Sequence, residues 1–170
     1  MKRITALWLG SIFLCPLFAQ ATSDQVFLSY SGTVVTPPCL ISTPSLTVDF
    51  GDIPAGDLAT TDSTTDWKNT LVELSQCTNV ASVTMTVNAA PSDANPKYIR
   101  STGTAEHVAV EAREGLVSFN DLYNGATIGF DTLGNPTNRV DLRFRIRNDG
   151  TGAATGGTVI STMTLTYSFK

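Results

Sequence analysis

Histidine is almost missing from this 170-residue chain: His107 is the only one, and cysteine occurs three times. A lone histidine with no second ligand cluster leaves nothing to hold a catalytic metal. No serine lies in a nucleophile elbow, so His107 beside Glu106 or a scattered serine reads as structural. No glycine-rich phosphate loop is present. Asn148-Asp149-Gly150 is a turn signal, not a calcium loop, because the other oxygen ligands at loop spacing are missing. Basic residues are also few, 11 Lys and Arg against 15 Asp and Glu, for a formal net charge of −4. That balance excludes nucleic acid, whose binding depends on phosphate neutralisation, and an anionic membrane surface. No apolar run reaches the roughly 20 residues that span a bilayer. The residues argue against an enzyme, a cofactor, a metal or membrane insertion.

The first residues read as an export signal. Lys2 and Arg3 form a positive start, Ile4 to Leu14 is mostly apolar, and Ala19-Gln20-Ala21 is a small-x-small cleavage pattern. Residues 1–21 are therefore expected to be cleaved. Cys15 should leave with them, since Leu14 stands where lipid attachment wants a small residue. Losing Lys2 and Arg3 leaves nine basic residues against fifteen acidic ones, about six net negative charges. Cys39 and Cys77 remain, and an even count in an exported chain favours a disulfide. A metal pair or a reactive thiol finds no supporting ligands. Closing such a loop stabilises by about 4 kcal/mol on the chain-entropy model.

What the chain does have is alternation. Apolar and polar residues alternate at 46–50, 83–87, 108–110 and 142–147, rich in valine, threonine and aromatics. Turn clusters fall between them at 54–56, 91–96, 134–136 and 149–158, and Thr60 to Thr65 reads as a surface loop. No segment keeps a 3.6-residue period over ten residues. Short strands broken by Gly, Pro and Asn predict an all-β sandwich of the immunoglobulin type. Arg143, Arg145 and Arg147 fall on one face of a strand, predicting a solvated outer face rather than a site for an acidic glycan.

Both ends alternate as well. Val26, Leu28, Tyr30, Gly32 and Val34 share one face of an arm that stops at Pro37-Pro38, where paired prolines interrupt sheet pairing. Taken alone, such an arm is most simply the first strand of its own sheet. At the other end Met163, Leu165, Tyr167 and Phe169 alternate with polar residues up to Lys170.

Taken in order, these blocks resemble the pilins of chaperone–usher fimbriae, most closely the minor, adaptor subunits of type 1 fimbriae. The blocks are VFLSYSGTVVTPPC with Gly32 seven residues before Cys39, TVDFGDI at 47–53, Trp67 leading into LVELSQC, and TMTLTYSF at 162–169. Departures are Phe169 where the family usually has Tyr, and the strand RVDLRFRIRN without the family's frequent proline.

The resemblance implies an incomplete immunoglobulin-like β-sandwich lacking its last strand, completed by donor-strand complementation. It divides the chain into a signal peptide (1–21), a donor-strand extension (22–37) and a pilin domain (38–170). Val26, Leu28, Tyr30 and Val34 would fill a neighbour's groove, with Gly32 where no side chain fits. Met163, Leu165, Tyr167 and Phe169 would line this chain's own groove, and the carboxylate of Lys170 would be anchored by a chaperone. Implied partners are a periplasmic chaperone, an outer-membrane usher and neighbouring subunits, on an exported route to the cell-surface fimbrium and a role in adhesion through the fibre. The rival readings are a glycan-binding adhesin, for which 149 residues leave no separate lectin domain, and a self-contained secreted sandwich.

Overall fold

The computed structural model describes residues 28–34, 38–132 and 135–170. The chain falls into two units, residues 1–35 and 36–170. The expected signal at 1–21, Val26, Pro37 and Gly134 lie outside the described residues. In the first unit residues 28–34 join no strand, and Leu28, Tyr30 and Val34 are exposed.

Among its described residues the second unit holds nine strands: β1 (Leu40–Ile41), β2 (Lys68–Ser75), β3 (Ser82–Ala89), β4 (Ile99–Arg100), β5 (Val108–Glu114), β6 (Asn120–Leu122), β7 (Thr127–Asp131), β8 (Asn138–Asn148) and β9 (Met163–Phe169). One sheet has the order β1-β2-β8-β5-β4 with β6 also on β5, and the other is β7-β3-β9. Every pairing is antiparallel. The period of two puts Val83, Met85 and Val87 of β3 inside, each at most 1% exposed, facing Val140, Leu142 and Ile146 of β8. The all-β sandwich expected from the alternation is therefore present. Among the described residues no helix is long and apolar enough to cross a membrane.

Three expectations differ from the structure. The alternating segment 46–50 joins no ladder, and Pro54 to Gly56 leads into a 3-10 turn over Ala55–Leu58 rather than a simple turn. The arginine face of β8 is not simply solvated. Arg147 is 8% exposed and Arg143 and Arg145 are only half-exposed. The reason is Glu111 on β5, which the register sets directly opposite Arg145. Its buried carboxylate takes Arg145 at 2.8 Å, Arg147 at 3.0 Å and Arg113 at 3.0 Å. Trp67 then lies within 4.4 Å of the Arg145 guanidinium and 4.7 Å of that of Arg143. The 60–65 loop packs here too: Thr65 donates its amide to Ile146 and Asp62 pairs with Arg147.

His107 hydrogen-bonds within the fold. It sits at φ +62° with Nδ1 2.7 Å from the Thr151 hydroxyl. The Asn148-Asp149-Gly150 turn also forms: the Asn148 side chain accepts the Gly150 amide, and Gly150 takes φ +88°.

Candidate functional site: a groove beside the last strand

Among the described residues strand β9 pairs on one edge only, with β3, from Val83 opposite Phe169 to Ala89 opposite Met163. Its apolar residues Met163, Leu165, Tyr167 and Phe169 are all half-buried, whereas their neighbours on β3 are fully buried. The cover that a sandwich core needs is thus incomplete along the free edge of β9. Phe144 shows the same deficit from below. It lies in mid-strand on the core face of β8, between buried Leu142 and Ile146, yet remains half-exposed.

A cleft of about 480 Å³ runs along this edge. Met163, Leu165 and Tyr167 form one wall, Leu46, Val48 and Phe50 the other, and Val72, Val110, Leu142 and Phe144 the floor. A second cleft of about 480 Å³ shares Val48, Phe50 and Val159 with the first and continues past Ile53 and Leu58 to Ala154. The two together make one long groove in which residues 41–58 and 154–167 run in opposite directions. This explains why 46–50 joins no ladder: it faces the groove rather than a strand of the same domain. Met163, Leu165 and Tyr167 line this cleft. Phe169 packs against the core beyond its end, and Lys170 is exposed, with its backbone oxygen accepting the amides of Ala81 at 2.6 Å and Ser82 at 3.1 Å.

The wall opposite β9 was not foreseen. Leu46, Val48 and Phe50 were legible only as an alternating strand, which says nothing of what they face. Cys39 and Cys77 are joined by a disulfide that ties the start of β1 to the end of β2. This crosslink fixes the chain just before the wall begins.

Tyr167 sets a phenol into the cleft from β9. Its hydroxyl is buried without a hydrogen-bond partner among the described residues, and desolvation pushes its pKa up to about 12. Among the described residues no group of three or more His, Cys, Asp or Glu could hold a metal ion.

Comparison with known proteins gives the family. The profile of the fimbrial protein family matches residues 28–170. The chain belongs to this family. Protein FimG of Escherichia coli (strain K12) is 27% identical over 153 residues, 89% of each chain. The uncharacterized fimbrial-like protein YdeR of the same strain is 31% identical over 115 residues, 67% of this chain and 68% of its own. A solved chaperone–usher pilus subunit has the same fold, with TM-score 0.63 and 18% identity over 91% of this chain and all of its own. As a fimbrial protein, the chain has an all-β fold that matches solved pilus subunits. The described arm residues, Leu28 to Val34, fall at the start of the matched span.

Proposed function

We propose that this fimbrial subunit joins its neighbours by donor-strand exchange: its groove accepts an arm, and its own residues 22–37 enter the groove of the next subunit. The observation that carries the reading is β9, whose free edge and half-covered apolar face adjoin a groove walled by Leu46, Val48 and Phe50. An open strand edge with exposed core side chains is a template for another strand. An added strand supplies main-chain hydrogen bonds while its alternate side chains fill the floor. Val26, Leu28, Tyr30 and Val34 are the knobs of the donated arm. Burying four of them at about 1.5 to 3 kcal/mol each gives a gross gain of roughly 6 to 12 kcal/mol. Gly32 has no steric reason of its own, since an added Cβ there would meet nothing within 4 Å. Its small size is explained if the acceptor's groove is what leaves no room.

The same groove would be held before assembly by a periplasmic chaperone, delivered to an outer-membrane usher, after export directed by residues 1–21. Lys170 follows β9 directly, where a chaperone's basic residues would meet the terminal carboxylate. The single groove and single arm suit an internal, minor or adaptor position in a surface fimbrium, with adhesion exerted through the fibre and no enzymatic activity.

The test is to mix a peptide of residues 22–37 with candidate fimbrial subunits freed of chaperone. One subunit should gain stability, and the Leu28→Asp peptide should fail to stabilise it. Equal stabilisation by the charged peptide would defeat the pocket model. Residues 38–170 that melt cooperatively and reversibly as an unassisted monomer would defeat the unfinished sandwich altogether.

A further inference from the structure

The sheet face opposite the groove floor carries a second feature, independent of strand exchange. Residues 142 and 144 of β8 point to the groove, so Arg143 between them points outward. The register places Arg143 directly across from Arg113 of β5. Like charges in that position repel unless something compensates them. Arg113 has its own partners, Glu111 and Asp121. Arg145 and Arg147 share Glu111, and Arg147 also takes Asp62. Four arginines thus meet three carboxylates, and Arg143 is the one without an ion pair among the described residues. Asp141, two positions away on the same face, makes none with it.

Arg143 meets aromatic rings instead. Its guanidinium lies 4.7 Å from the Trp67 ring and 4.6 Å from the Phe119 ring, and its Nε–H is buried without an acceptor. Beside it the loop from Gly115 to Phe119 presents apolar side chains where a β-hairpin tip ordinarily carries polar ones. Leu116 is 53% exposed, Val117 90% and Phe119 47%. A preoriented arginine with aromatic and aliphatic neighbours is the composition of a protein interface core.

We propose that Arg143 and the 116–119 loop form a docking surface for a protein segment bearing a carboxylate side chain flanked by apolar residues. Charge complementarity sets the sign: this is an uncompensated cation on a chain whose formal net charge is −4. The exposed Leu116 and Val117 favour a protein over an acidic sugar, whose polar surface would leave them uncovered.

Trp67 reports on the site directly, since the only other tryptophan is Trp8. The full chain is titrated with acetyl-Leu-Glu-Leu-Leu-amide, with its Gln analogue, and with glucuronate, and tryptophan emission is followed; Trp67→Phe identifies the signal. The Glu peptide should half-saturate at a concentration at least ten-fold below the Gln peptide. Arg143→Gln should abolish that difference. Val117→Ser, on an exposed loop position that leaves folding intact, should weaken both peptides at least three-fold. Equal response to Glu and Gln peptides overturns the proposal. So does saturation by glucuronate without the peptide, or self-association of the chain that Arg143→Gln abolishes while the peptide has no effect.

Discussion

Glu111 on β5 and Arg145 on β8 stand directly opposite in the ladder, and the Glu111 carboxylate lies 2.8 Å from the Arg145 guanidinium. Arg147 and Arg113 close on the same carboxylate. One buried anion therefore holds three cations on the outer face of the sheet.

Removing that anion leaves the arginines facing one another. Replacing one partner of a buried ion pair typically costs 3–5 kcal/mol. Glu111→Gln should accordingly destabilise the chain by about 3 kcal/mol or more, read as a lower midpoint in urea. Glu73→Gln, whose contact with Arg139 is exposed at 3.7 Å, should cost under about 1 kcal/mol.

Phe144 separates the open groove from the filled one. With its ring half-exposed, Phe144→Ala should cost roughly 1–2 kcal/mol in the chain alone. With an arm peptide in the groove the ring is covered, and the loss should approach the 3–5 kcal/mol of a buried Phe→Ala. Urea denaturation with and without peptide measures the difference. Equal losses in the two states would place Phe144 outside the contact.

Tyr167 gives the fold a dependence on high pH. Desolvation raises its pKa from 10.0 to about 12, so the folded chain keeps a proton that the unfolded chain releases. The associated stability is complete below pH 10 and is lost as pH rises from 10 towards 12. Tyr167→Phe should remove this slope, read by melting between pH 9 and 12. An unchanged slope would mean that another group carries it.

Much of this molecule was legible in the chain. The alternation at 83–87, 108–110 and 142–147 became β3, β5 and β8, because a strand's period of two puts the same residues inside whatever its partner. The cysteine pair and the strand over Met163–Phe169 were equally readable. Alternation, however, specifies which residues share a face and not what that face meets. The same pattern at 46–50 looked like an ordinary strand, yet it forms a groove wall with no ladder of its own. The same spacing at Arg143, Arg145 and Arg147 looked like a face turned to water. Its burial depends on Glu111, more than thirty residues earlier, and on Trp67 from another part of the chain.

Local sequence, through the two-residue period of an extended backbone, determined the strands, their inward residues and the tie between Cys39 and Cys77. Tertiary structure alone decided that β9 has one partner instead of two among the described residues, and that the cations of β8 converge on one buried carboxylate. Both are matters of which distant segments arrive side by side. Pairing across tens of residues is set by how two sheets pack and close, a property that no single segment carries.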